Sequence, residues 1–236
     1  MFKRLLFKQV LLIIFSFLVL LAVLNTPVFA AGNIQFISDQ NSEKEIVIKT
    51  GDKLMLDKKW YSYKFEVNPG RTLGAAKMQP VDAEEYEAAL NEVSFPLEAV
   101  GQYKVYFLNY RLKNYSSAMA LSFKDDSAVV FGTYYPLSAS RLHQLAAHEL
   151  GHQVDFCLMS SSKWREYKRL RGLENKKVYN DQSTVYENRP QEIFAEDFRL
   201  LFGGETARII PHLNEELPDP GTVSGLKELF LELASA

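Results

Sequence analysis

Cysteine occurs once in the 236 residues, at Cys157. That excludes an intramolecular disulfide framework and a multi-cysteine zinc cluster. Histidine is nearly as scarce: only His143, His148, His152 and His212 are present, so a histidine-rich metal site must draw on those four. Charge of one sign is lacking too. The 27 Lys and Arg face 29 Asp and Glu, a net of −2, and nucleic-acid binders usually carry a basic excess. No internal repeat and no low-complexity stretch occurs, which excludes solenoid and collagen-like designs. Hydrophobic residues at 47% and charged residues at 24% are ordinary for a globular chain of one domain with a small extension.

The first thirty residues read as a removable leader. Lys3, Arg4 and Lys8 precede an apolar run from Val10 to Leu24, broken only by Ser16. Pro27 and Val28-Phe29-Ala30 follow, placing small residues at −1 and −3 of a cleavage site before Ala31. Fifteen helical residues span about 22 Å, short of the roughly 30 Å hydrocarbon core. The expectation is a secreted protein with no stable membrane insertion after cleavage. Without residues 1–30 the chain keeps 24 basic and 29 acidic residues, net −5. Such a chain must hold its fold by core packing alone.

Residues 31–44 are polar and read as a loose arm, and residues 31–74 as an N-terminal arm with strands. Strand patterns cover Glu45–Lys49, Trp60–Val67, Lys104–Tyr110, Ala118–Phe123 and Ala128–Tyr135. Asn68-Pro69-Gly70-Arg71 is turn chemistry, and Lys124 to Ser127 reads as a hairpin turn. A helix is expected over Pro80–Val93, with Asp82 near its start. After Pro136 the texture turns helical: from an N-cap at Ser138 to about Met159, over Trp164–Leu173, from Pro190 to the stop at Gly203-Gly204, and from Val223 to about Ala234. Residues 174–188 read as loop. Strands first and helices afterwards predict an α+β domain with a small mixed sheet over residues 75–236.

His148-Glu149-Leu150-Gly151-His152 is an H-E-x-x-H motif inside the first of those helices. Residues four apart share a helix face, so both imidazoles can meet one Zn²⁺. Glu149, turned about 100° from His148, lies beside the metal and can take a proton from its water. From this composition the motif arises by chance about 0.005 times per chain. Gly151 costs the helix about 1 kcal/mol relative to Ala, which implies that another element approaches closely there. The extended metzincin motif is excluded, because Asp155 and Leu158 occupy its later positions.

The third ligand is sought on the helix after Pro190. Glu192 and Glu196 are four apart on one face, amid Ile193, Phe194, Phe198, Leu200, Leu201 and Phe202. Two carboxylates on so apolar a helix need partners. Glu192 is assigned to the metal, and Glu196 to a hydrogen bond from His148 that orients its ring. Asp155, close to the His148/His152 face, either orients His152 or pairs with a nearby cation. His143 points about 140° away and reads as structural. Cys157 reads as a buried small residue. His212 has no motif.

These segments carry a family resemblance. Residues 148–156 followed by Glu192-Ile193-Phe194-Ala195-Glu196-Asp197-Phe198 resemble the catalytic domain of anthrax toxin lethal factor and its relatives, including the small secreted Pro-Pro endopeptidases. That family of gluzincin zinc metallopeptidases pairs H-E-x-x-H with E-[FY]-F-A-E-x-F some forty residues later; here His152 to Glu192 spans 40 positions. The specific resemblance covers about 138–203; residues 75–137 and 204–236 agree in order and size only. It implies a zincin-like fold, His148, His152 and Glu192 as zinc ligands and Glu149 as the base. It also implies a tyrosine seven residues before the ligand glutamate, serving the oxyanion. Position 185 is Val, the nearest tyrosine is Tyr186, six before, and Tyr179 is a more distant substitute.

The expected activity is that of a secreted, monomeric zinc endopeptidase acting on an extended peptide or protein. The substrate is expected to pair with the strand Ala128–Tyr135. A non-catalytic, toxin-like binding module of the same fold is the alternative. A structural zinc site in an adhesion protein is disfavoured by the scarcity of Cys and His. No residue specifies the cleavage preference.

Overall fold

A computed structural model describes residues 34–37, 79, 81–108, 118–124, 127–133, 135–179 and 184–235. The leader, the strands Glu45–Lys49 and Trp60–Val67 and the turn at 68–71 lie outside the described residues. All described residues fall in one compact unit. Among them no helix is long and apolar enough to cross a membrane.

Among the described residues four strands make one mixed sheet in the order β1-β2-β4-β3: β1 (Ile34–Ile37), β2 (Tyr103–Leu108), β3 (Ala120–Phe123) and β4 (Ser127–Phe131). β1, β2 and β4 are parallel, and β3 runs antiparallel to β4. The β1 strand corrects the expectation of a loose arm at residues 34–37; the rest of 31–44 lies outside the described residues. Ile34-Gln35-Phe36-Ile37 is apolar enough to strand, but only a distant partner, Tyr103 to Tyr106, defines it as one. β4 is buried on both faces, as its run Ala128-Val129-Val130-Phe131 suits. It is also paired along both edges. It therefore cannot take a substrate strand, and the expected pairing over Ala128–Tyr135 is corrected: the outer strand beside it is β3. Thr133 lies past the end of β4, bonded to Gln79 in an isolated bridge.

Among the described residues six α-helices follow or flank the sheet: α1 (Ala83–Asn91), α2 (Ala139–Leu158), α3 (Ser161–Arg171), α4 (Pro190–Phe202), α5 (Glu205–Arg208) and α6 (Leu226–Ala234). The mixed α+β class is as expected. Local chemistry sets several ends. Asp82 caps α1, Ser138 caps α2 and Ser160 caps α3, each side chain accepting a backbone N–H three residues on. The Ser160 cap starts α3 three residues before the expected Trp164. Gly203 ends α4 with an ordinary φ of −62°, so its use is not the left-handed turn usual for a C-terminal glycine. A Cβ there would stand 2.5 Å from the Arg199 carbonyl oxygen.

α2 packs most heavily against α4, and this contact builds the site. At Gly151 a Cβ would meet the Ala195 Cα at 2.8 Å, so glycine is what lets the α4 backbone lie against α2. Phe194, Phe198 and Phe202 of α4 fill the interior behind it. Phe194 packs 4.6 Å from Phe230 of α6, and Phe198 5.2 Å from Phe95.

Candidate metal centre

The α2–α4 contact brings His148, His152 and Glu192 together, all buried, with one ligand atom from each within 4.8 Å of the others. Glu192 Oε2 stands 3.4 Å from His148 Nε2 and 3.3 Å from His152 Nε2. On the other side of the His148 ring, Nδ1 lies 2.8 Å from Glu196 Oε1. In the neutral ring that a metal ligand requires, Nδ1–H donates there and Nε2 bears a lone pair toward Glu192. Glu192 Oε2 is fully buried and accepts no hydrogen bond. An orphaned, buried carboxylate oxygen between two imidazole nitrogens fits a cation, and this group could hold a metal ion.

The electrostatics point the same way. Burial disfavours an imidazolium at His148, but the Glu192 and Glu196 carboxylates outweigh it and raise its pKa to about 10. Burial opposes ionisation of Glu192 as well, yet the two histidines hold it well below the usual carboxylate range. Glu196, also buried, is lowered to about 2 by His148 and Arg199. The site is therefore built for positive charge at its centre.

Glu149 lines the same cleft, whose volume is about 610 Å³. Its Oε2 accepts a 2.6 Å hydrogen bond from Ser122 Oγ on β3. Tyr186 sits in a 3₁₀ turn, Tyr186–Asn188, just before α4, with its hydroxyl 3.5 Å from His148 Nε2. Asn214 braces that turn through the Glu187 carbonyl and Asn188 Oδ1. Burial, then the Glu192 charge, push the Tyr186 phenol far above its ordinary value, so it stays a proton donor.

Tyr179 also lines the cleft, but its hydroxyl is committed, donating to Asp155 Oδ1 at 2.6 Å. Of the two tyrosines, Tyr186 is the one aimed at the histidines. Asp155 takes a second bond, from Trp164 Nε1 at 3.0 Å, and so is hydrogen-bonded to neither histidine. His143 is buried between Glu85 and Glu92 at 2.8 and 3.2 Å, away from the cleft. His212 meets Asp197 on the far side of α4 at 3.2 Å. Cys157 is exposed, which corrects its expected burial: the last turn of α2 emerges from the core there.

Two functional residues escape sequence reasoning. Arg199 is fully buried and grips Glu196 with Nε at 3.0 Å and Nη2 at 2.7 Å, while donating to the carbonyls of Ala207, Ile210 and Pro211. Its position three after Glu196 was a usable signal. Ser122 offered none, because only the sheet order places it over Glu149. Set against protein-family models, curated proteins and solved structures, the chain finds no match.

Proposed function

We propose that the chain is a secreted zinc-dependent endopeptidase of the gluzincin type, with a zincin-like domain resembling the relatives of anthrax toxin lethal factor. One observation carries the reading: His148 Nε2, His152 Nε2 and Glu192 Oε2 converge in a cleft that Glu149 also lines. Two imidazoles and one carboxylate suit Zn²⁺, and three protein donors leave a position open, as in catalytic sites. When bound there, Zn²⁺ supplies Lewis acidity, easing ionisation of water and polarising a carbonyl oxygen.

The chain's own residues do the rest. Glu149 takes a proton from the attacking water and delivers it to the amine nitrogen as the C–N bond breaks. Ser122, donating to Oε2, holds that carboxylate in place. Tyr186 donates its hydroxyl proton in a hydrogen bond to the oxygen that becomes negative at the scissile carbonyl. Glu196 fixes the His148 tautomer, and Arg199 fixes Glu196. An extended substrate lies along the β3 edge, where only β4 is paired with it among the described residues. The leader over 1–30 supplies export.

Purified protein is expected to carry about one zinc per chain and to cleave members of a peptide library, read by mass spectrometry. A chelator should stop cleavage and zinc restore it. Zinc-loaded protein that leaves the whole library intact would favour the non-catalytic binding module instead. Glu192→Ala should lose zinc on dialysis; full retention would move the third ligand elsewhere.

A further inference from the structure

The cleft has different chemistry at its two ends. β3 advances in the same direction as α2: Ser122 Oγ reaches Glu149, and Gln153 Nε2 donates to the Phe123 carbonyl at 3.0 Å. At the other end of the strand the Met119 carbonyl accepts from Phe131 N, and Ala118 and Met119 line the cleft together with Arg141 and Gln144 from the start of α2. One end of the cleft is therefore walled by Phe156 and Tyr179, with Phe156 stacked on His152 at 6.3 Å. The opposite end is lined by Ala118, Met119, Arg141 and Gln144.

Arg141 is the only Lys or Arg among the described residues that line the cleft. It is half-buried in the first turn of α2, and its guanidinium donates to Gln144 Oε1. Among the described residues no carboxylate lies within ion-pair distance of it. The cleft's own acids are committed elsewhere: Glu149 to Ser122, Glu192 to the histidines, Glu196 to His148 and Arg199. A guanidinium carries five donors in a planar fork that matches a carboxylate, and most of this fork is unspent.

We infer that Arg141 is a specificity-determining residue that selects peptides carrying a carboxylate about three residues beyond the scissile bond, on its C-terminal side. The inference rests on the endopeptidase reading above. Its polarity follows from the edge strand. Antiparallel pairing is the more stable per residue, and a peptide antiparallel to β3 runs from the Phe156 end toward the Arg141 end. Its spacing follows from helix and strand rise. Eight helical residues from Arg141 to Glu149 cover about 12 Å, and an extended peptide advances about 3.3 Å per residue. An Asp or Glu side chain and a free C-terminus both offer that group.

The test uses the zinc-loaded protein and a peptide it cleaves, blocked at both ends, with Asp or Asn placed in turn at each of the four positions after the cleaved bond. We expect kcat/KM to favour Asp by about tenfold near the third position, the scale of a hydrogen-bonded charge. A third arm ends the peptide there as a free carboxylate, and a gain in that arm alone assigns the preference to chain termini. Arg141→Gln should shrink the ratio below about twofold, and Arg141→Glu should turn it toward Lys, with zinc content and melting temperature showing that both variants fold. Equal rates for Asp and Asn at all four positions together with no gain from the free C-terminus, or a preference that survives Arg141→Gln, would overturn the inference. Failure to cleave any peptide would instead overturn the hydrolase reading, and this inference with it.

Discussion

Helix α4 buries acids on two faces and treats them differently. On one, Asp197 is closed by charge: Tyr167 donates its hydroxyl to Oδ2 at 2.6 Å, Arg171 Nε pairs with Oδ2 at 3.0 Å, and His212 Nε2 stands 3.2 Å from Oδ1, which accepts no hydrogen bond. On the other, Glu196 is matched by Arg199, but Glu192 Oε2 faces only two imidazoles. Asp155 on α2 is a third case. Its Oδ2 is buried with no hydrogen bond, and burial raises its pKa to about 6 despite Tyr179, His152 and Trp164. An acid matched by a guanidinium is a structural tie. An acid without a cation keeps its proton to higher pH. An acid held ionised between imidazoles marks where a cation belongs.

Four measurements would break or sharpen that comparison. The largest effect is expected at Glu149, which lines the cleft without joining the ligand cluster. Glu149→Gln should cut peptide hydrolysis by about 10²–10⁴-fold while leaving zinc bound. A variant that cleaves as fast as the parent would remove the residue from the chemistry. Next comes the closed face. Asp197→Ala strands a buried guanidinium that cannot shed its proton, and should cost about 3–5 kcal/mol by denaturant unfolding. Glu192→Ala in chelated protein should cost less, because a stranded imidazole can deprotonate. Equal losses would mean that the two faces are alike.

A smaller effect concerns Asp155 and pH. Its folded pKa of about 6 lies above the ordinary value of 3.8. The folded state thus holds this proton more tightly, and its contribution is complete below the ordinary value and lost as pH rises through about 6. Wild type minus Asp155→Asn, in chelated protein, should therefore lose about 2 kcal/mol of relative stability between pH 4 and 7. A flat difference would show that burial is relieved some other way. The smallest effect is expected at Glu196, which reaches the metal-binding group only through the far side of the His148 ring. Glu196→Gln should weaken zinc about 10–100-fold in a competition titration. An unchanged affinity would make the Glu196–Arg199 pair a tie like Asp197–Arg171.

Much of the helical half was legible because its signals are local. The caps at Asp82 and Ser138, Pro190 at the first turn of α4 and the i, i+4 spacing of His148 and His152 each span a few residues. Gly151 was legible as a point of close approach, though not which helix would approach. The sheet was less so. β1 is four residues long and defined by its partner, and β4 reads as a strand whether it lies at an edge or at the centre. Asp155 could be placed on its helix face by rotation, but its bonds to Trp164 and Tyr179 come from segments 9 and 24 residues on. Nothing local encodes them.

Residue order alone set which groups share a helix face, because α-helical rotation is the same wherever the helix sits. It thus supplied the imidazole pair, the acid pair Glu192/Glu196 and their separation along the chain. Only the tertiary structure decided that α4 lies against α2 at Gly151, that β3 is the outer strand, that Ser122 stands over Glu149, and that Arg141 enters the cleft without an acid to meet it among the described residues. Those are contacts between segments distant in sequence, fixed by how whole surfaces pack.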